Sequence, residues 1–189
     1  MERFGNKINP KVLVIGVFHG DEPQGEYLIK KYLETVEKTN LLFIPRLNKS
    51  DTRVNFNGVD INRNFPTSNW ELSEKNEYFG GEIPASEKET QFIIEVVEKF
   101  KPNVILTLHA PYKIVNYDGP TEKLAEAISK IMNYPVEKSI GYPTPGSFGT
   151  WAGIERNIQT ITLELDEEVD VEKLVPNVFK VFNLLEDIG

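Results

Sequence analysis

The sequence predicts an α/β domain built on a mostly parallel sheet, and three observations carry that prediction. Apolar runs of strand length, residues 12–17, 104–108 and 158–165, alternate with stretches of helical spacing. The first two runs are continuous rather than alternating, as in strands covered on both faces. The chain has 189 residues, 40% hydrophobic and 26% charged, which supports one sizeable core and argues against wholesale disorder. No repeat or Pro/Gly/Ser linker divides it, so residues 1–189 are expected to form one domain.

In chain order, residues 12–17 read as a strand and 22–37 as a helix, with Pro23 tolerated in the first turn. Residues 41–45 are a second short apolar run. Residues 48–83 are rich in Asn, Gly, Asp and Pro and have no sustained period. A loop of that length inside a compact domain is usually functional. A helix is expected to open at Ser86, with Glu89 three residues on as a capping box. Phe92, Ile93, Val96, Val97 and Phe100 follow at helical spacing, and Lys101-Pro102-Asn103 stops that helix. Residues 104–108 form a strand that delivers His109 at its C-terminal end. Residues 121–132 read as a helix, 141–149 as a Gly/Pro loop, 158–165 as a strand and 171–185 as a final helix.

Composition narrows the chemistry. There are 21 Lys+Arg against 29 Asp+Glu, a formal charge of −8, which weighs against non-specific binding to nucleic acid or anionic membrane. No cysteine is present, which removes disulfides, thiolate metal sites and cysteine nucleophiles. The first 11 residues are polar and no stretch approaches the ~20 apolar residues of a membrane helix, so a cytoplasmic location is expected. The sequence leaves the oligomeric state open.

Ligand sites in open α/β sheets lie at the carboxyl ends of strands. His19, His109 and Glu164 all fall at or just past such ends. His19 and His109 are the only two histidines. His19-Gly20-Asp21-Glu22 places an imidazole and a carboxylate three residues apart, and catalytic zinc sites take three such ligands with one position left open. His19, Glu22 and His109 would supply that set. A lone histidine at a strand end is ordinarily a hydrogen-bonded structural residue; two histidines both ending strands, one paired with Glu22, make the structural reading weaker. The segment from Arg53 to Pro66 admits two readings. It is an Asn-rich turn, with Asn57-Gly58 as the turn signal, or a carboxylate-recognition loop, with Arg forks and Asn donors.

Taken together, His19-x-x-Glu22, Arg53, the run Asn57-Gly58-Val59-Asp60-Ile61-Asn62-Arg63-Asn64-Phe65, Leu108-His109 and Thr162-Leu163-Glu164-Leu165 resemble the zinc carboxypeptidase family. The segments 109–111, 115–120 and 142–149 look most like its small bacterial murein peptide amidase branch. The resemblance implies a mixed, mostly parallel twisted sheet with helices on both faces. It also implies one zinc ion held by His19, Glu22 and His109, and a zinc-activated water that hydrolyses the amide next to a free C-terminal residue. By the same resemblance, Asp60 would hydrogen-bond a zinc-bound histidine, Glu164 would be the general acid/base and Arg53 would stabilise the developing oxyanion. Asn62 and Arg63 would grip the substrate carboxylate, and Tyr142 would cap the substrate.

The segment between Tyr142 and Trp151 should help line the pocket for the departing residue, offering Ser147, Phe148, Gly149 and Thr150. Such a pocket suits a longer polar residue such as diaminopimelate, and Asp118 would meet its distal ammonium. The substrate expected is a murein-derived peptide cut at the γ-D-glutamyl–diaminopimelate amide. An N-acyl amino-acid deacylase of aspartoacylase type is the second reading, and a catalytically inactive peptide-binding module the third.

Overall fold

Seven strands form one mixed sheet in the computed structural model, which describes residues 1–138 and 141–188. The strands are β1 (Phe4–Gly5), β2 (Val12–Gly16), β3 (Leu42–Ile44), β4 (Val104–His109), β5 (Ile114–Asp118), β6 (Val136–Glu137) and β7 (Gln159–Glu164). Their order across the sheet is β1-β3-β2-β4-β7-β5-β6. The pairs β2–β3, β2–β4, β4–β7 and β5–β6 are parallel, while β1–β3 and β5–β7 are antiparallel. Four α-helices cover it: α1 (Gln24–Leu33), α2 (Lys88–Phe100), α3 (Glu122–Met132) and α4 (Val175–Glu186).

Every residue of β2 and β4 is buried, as their unbroken apolar runs demand. Alternate side chains go to opposite faces. Val12 and Val14 join Leu28, Ile29 and Tyr32 of α1, Ile128 of α3 and Val178, Val181 and Phe182 of α4. Leu13 and Ile15 join Ile93, Val96 and Val97 of α2, together with Phe65, Phe148 and Trp151. Helices thus lie on both faces. Full burial of one such aliphatic or aromatic side chain contributes about 1.5–3 kcal/mol, so the sheet is a stiff platform for whatever its strand ends carry.

Several boundaries differ from expectation. Helix α1 is shorter than 22–37: Pro23 stands just before its first residue, and Thr35 Oγ1 donates to the Tyr32 carbonyl (2.7 Å) where the helix has ended. At α2 the anticipated Ser86–Glu89 capping box does not form. The N-cap is Glu87, without a side-chain cap bond, because the loop asparagines engage both acidic side chains. Lys101, in the left-handed region (φ 47°), ends that helix as expected. The short strands β1 and β6, the strand β5 and a π-helical turn at Thr150–Ile154 were not legible.

Candidate active site

The strand ends converge as the topology requires. In the β4–β7 register His109 stands opposite Glu164, and the Leu165 N–H donates to the His109 carbonyl at 2.7 Å. One strand further along, β2 ends at Gly16, and the chain turns sharply. Val17 takes φ 53°, a left-handed conformation that a β-branched residue adopts only when its surroundings impose it. The turn delivers Phe18 to the core and His19 to the cleft. The Phe18 ring stacks on His109 (5.3 Å between centroids, 21° between planes) and so fixes that imidazole. Gly20 is required for closeness: a Cβ there would lie 2.1 Å from the Ser50 carbonyl oxygen. Arg46 braces the turn from behind, donating to the carbonyls of Asn48, Ser50 and Gly20 and to Glu26.

Glu22 then sits between the two imidazoles. His19 Nδ1 is 2.7 Å from one of its oxygens and His109 Nδ1 3.1 Å from the other. One ligand atom from each of the three residues lies within 4.8 Å of the others, so a single ion could be held among them. The donor set of two imidazole nitrogens and a carboxylate suits zinc. The far side of His19 is also committed: Nε2 lies 3.1 Å from Asp60 Oδ1, which leaves Nδ1 facing Glu22. Such a carboxylate partner fixes the tautomer and raises ligand basicity.

Charges follow these contacts. Burial disfavours a charged His19, but the hydrogen bonds and charges of Asp60 and Glu22 outweigh it and raise its pKa to about 9. Burial would also raise Glu22, yet the two histidines hold it well below the usual carboxylate range. Asp60 is held at about 2 against burial by His19 and the arginines. His109 is pushed down, chiefly by burial. Glu164 moves the other way. Burial and then the charge of Glu22 lift it to about 8. Its Oε2 is buried without a hydrogen-bond partner among the described residues.

The remaining candidates come from loops. Asp60 begins a 3-10 turn (Ile61–Arg63) and accepts the Asn62 N–H on Oδ1. Arg53 donates to Asp60 Oδ2 through Nε and Nη2, at 3.1 and 2.9 Å, and lies 4.8 Å beneath the Tyr78 ring. Asn62 Oδ1 accepts the Phe148 N–H, which leaves the amide hydrogens as its remaining donors. Arg63 is buried and anchored through Nη1 to the Asn62 carbonyl. The two loops are tied together where the Phe65 N–H meets the Gly146 carbonyl and the Gly146 N–H meets Thr67 Oγ1. Tyr142 stands half-exposed at the rim.

His19, Glu22, Arg53, Asn62, Arg63, His109, Asp118, Tyr142 and Glu164 all line one cleft of about 610 Å³, with Asp60 directly behind. One expectation is corrected. Phe148 does not line it. Its side chain is buried against Phe18, Phe65 and Trp151, whereas Ser147, Gly149 and Thr150 do face the cleft. Its ring meets Phe18 and Phe65 at 5.4 and 5.1 Å between centroids, an apolar setting that outweighs exposure to a polar cleft. Asn116, Thr162, Tyr78 and Tyr112 also line the cleft and were not anticipated. For Asn116 a signal existed: Ile114 to Asp118 alternates, which sets Asn116 and Asp118 on one face.

A sequence profile of the zinc carboxypeptidase family matches residues 41–123. The chain is 30% identical over 175 residues to murein peptide amidase A of Vibrio campbellii, covering 83% of this chain and 70% of the relative. This chain belongs to the zinc carboxypeptidase family. Murein peptide amidase A of Escherichia coli K12 is 29% identical over 191 residues, covering 92% of this chain and 78% of that protein. The crystal structure of murein-tripeptide amidase from Escherichia coli O157 superimposes with a TM-score of 0.86 at 27% identity, over 97% of this chain and 85% of the other. The fold extends to thrombin-activatable fibrinolysis inhibitor, with a TM-score of 0.71 at 15% identity over 98% of this chain and 65% of that one. As a zinc carboxypeptidase the chain is a hydrolase, and its cofactor is one zinc ion. The histidine and carboxylate donors described above fit that ion.

Proposed function

We propose that this zinc carboxypeptidase hydrolyses murein-derived peptides at the γ-D-glutamyl–diaminopimelate amide, releasing the C-terminal diaminopimelate. The observation that carries the chemistry is the placement of Glu164. A buried carboxylate with an unpartnered oxygen shares one cleft with His19, Glu22 and His109. The substrate class rests on the two murein amidase relatives.

His19, Glu22 and His109 would hold the zinc. When bound, such an ion polarises a carbonyl and makes water nucleophilic at neutral pH. In hydrolysis the amide C–N bond breaks, hydroxide adds to the carbonyl carbon and a proton passes to the leaving nitrogen. Glu164 is placed to carry that proton, taking it from water and returning it to nitrogen. It must enter as the carboxylate, and a dication among the neighbouring ligands lowers its pKa from the metal-free value. Arg53 offers a guanidinium toward the carbonyl oxygen as charge develops there, oriented by its two bonds to Asp60. Asn62 and Arg63 grip the substrate carboxylate, and Tyr142 closes over the bound residue.

Asp118 is read as the partner of the distal ammonium of diaminopimelate. It lines the cleft from the C-terminal end of β5, and burial pushes its pKa up, a cost that a bound cation would offset. Gly149 makes room for it, since a Cβ there would lie 2.1 Å from Asp118 Oδ2. Asp118→Asn is expected to lower kcat/KM at least ~10-fold for a diaminopimelate terminus and much less for an alanine terminus, the measure of one buried charge pair.

The function itself is tested on L-alanyl-γ-D-glutamyl-diaminopimelate, following free diaminopimelate. Wild type should release it, while chelator-treated protein and Glu164→Gln should fall by ~10²–10⁴-fold, the range for a lost general acid/base. No release from zinc-loaded wild type overturns the murein reading and directs the assay to ordinary C-terminal peptides and N-acyl amino acids. A cytoplasmic role in recycling wall peptides belongs to the same proposal. Cell fractionation tests it, and finding the protein outside the cytoplasm overturns that part alone.

A further inference from the structure

We propose that Glu87, outside the cleft at the head of α2, is a positioning residue of the metal site. It holds the turn of residues 55–59 so that Asp60 meets His19 and Arg53 at once. The inference rests on the reading of His19 as a zinc ligand.

Glu87 is buried and occupies the N-cap position of α2, yet its side chain does not cap the helix. Its carboxylate points into the long loop instead. Oε2 accepts from Asn55 Nδ2 and from Asn57 Nδ2, both at 2.7 Å, and Oε1 accepts from Ser86 Oγ at 2.7 Å. Asn55 is in turn the centre of its own turn. Its side-chain oxygen accepts the N–H groups of Asn57 and Val59, each at 3.0 Å, and its backbone pairs with Val59 and Gly58. The next residue is Asp60. Downstream of Asp60 the same helix end acts again: the Glu87 N–H donates to Asn64 Oδ1, and Asn64 Nδ2 donates to Ser86 Oγ and to the Gly80 carbonyl. Asp60 is therefore bracketed on both sides from one point.

The bracket matters because Asp60 is fully committed. Oδ1 serves His19 Nε2 and the Asn62 N–H, and Oδ2 serves Nε and Nη2 of Arg53. The four donors constrain the carboxylate placement closely, and the loop residues just before Asp60 belong to no helix or strand, with a single 3-10 turn (Ile61–Arg63) following it. The charge at position 87 matters too. Two amide donors and a hydroxyl converge on acceptor-only oxygens, and a glutamine there would set its amide donor against either the asparagines or Ser86 Oγ and would remove the charge from the bonds it kept.

The test compares wild type with Glu87→Gln, Asn57→Ala, Asp60→Asn and His19→Ala. Asn57 is exposed, so its truncation carries little risk to folding. Zinc affinity is read by competition with a chromophoric chelator. The His19 Nε2–H proton shift is read by NMR of the zinc-loaded protein, and melting temperature is recorded alongside. Partners behind metal ligands are worth ~10–100-fold in affinity. Glu87→Gln should weaken zinc binding ~10-fold and move the His19 proton upfield toward its position in a weaker hydrogen bond. Asn57→Ala should do the same to a smaller degree, ~3-fold by the same scale. Adding Asn57→Ala to Glu87→Gln should cost nothing more. A lower melting temperature with wild-type zinc affinity and an unmoved His19 proton overturns the inference. If Glu87→Gln does not fold, Asn57→Ala decides alone. His19→Ala separates the two readings: if it leaves zinc affinity intact, the metal assignment itself fails. If it weakens zinc while the position-87 and position-57 variants do not, only the role of Glu87 fails.

Discussion

Glu22 and Glu164 line the same cleft, and what differs is their company. Glu22 faces two imidazoles and stays ionised, whereas Glu164 faces burial and the charge of Glu22, and its pKa rises to about 8. The ordinary value of 4.5 applies to the unfolded chain, so between pH 4.5 and 8 the metal-free folded state binds the extra proton. Stability from this group is full below pH 4.5 and declines as pH rises through 8. Glu164→Gln should therefore stabilise the metal-free protein relative to wild type at pH 8 and lose that advantage at pH 4.5. Denaturant midpoints at the two values check this, and an equal difference at both contradicts it. His19 supplies a second prediction. Its pKa of about 9 in the metal-free protein means that zinc must displace a proton from it at neutral pH. Zinc affinity should climb with pH up to about 9 and then flatten. Calorimetry in buffers of different ionisation enthalpy should show proton release at pH 7, reduced in Glu164→Gln by that residue's share. Absence of release would contradict the charge state assigned to His19.

At the scale of elements, what was legible is what periodicity can carry. The strands β2, β4 and β7 bury nearly every side chain, and α2 and α3 carry strong apolar stripes, so their existence followed from local pattern. The strand β5 alternates over only five residues, and β1 and β6 have two residues each, too short for any period to register. The long loop resisted for another reason. Its conformation is set by side-chain bonds such as Asn55 to Glu87 and Asn64 to Gly80, between residues 16 to 32 positions apart. Local sequence holds no trace of such pairing, which is why nothing in it singles out Glu87. Elements and loops should also separate energetically. Phe182 of α4 is fully buried, with its ring edge-on to Tyr32 and Phe43 at 5.1 and 5.5 Å. Phe182→Ala should cost about 3–5 kcal/mol of stability by denaturant unfolding. It should leave zinc affinity unchanged, because this cluster packs on the face that carries α1, α3 and α4 and none of its rings lines the cleft. A loss of zinc affinity in that variant would show the two regions to be coupled.

Across the whole molecule, the candidate ligands tie together segments far apart in sequence. His19 follows β2, Glu22 precedes α1, and His109 ends β4, with Asp60 joining the long loop to the same point. The unfolded chain has no such preformed site, so zinc binding is linked to folding. A ligand present at 1,000 times its dissociation constant adds about 4 kcal/mol to the folded state. For a chain of this size each kcal/mol moves the melting temperature by roughly 2–4 °C. Removing zinc with a chelator should therefore lower the melting temperature by about 8–16 °C at that excess, and re-addition should restore it. The size of the increment identifies its source. Phe182→Ala should lower the melting temperature of the zinc-loaded and zinc-free forms alike and preserve their difference, since it alters the core and not the site. His109→Ala should abolish the difference, and its zinc-free form should melt below the wild-type zinc-free form because the contacts of His109 with Phe18 and Glu22 go as well. If His109→Ala retained the full zinc increment, the ion would be held elsewhere in the chain, and the cleft formed by the ends of β2, β4 and β7 would not be the metal centre.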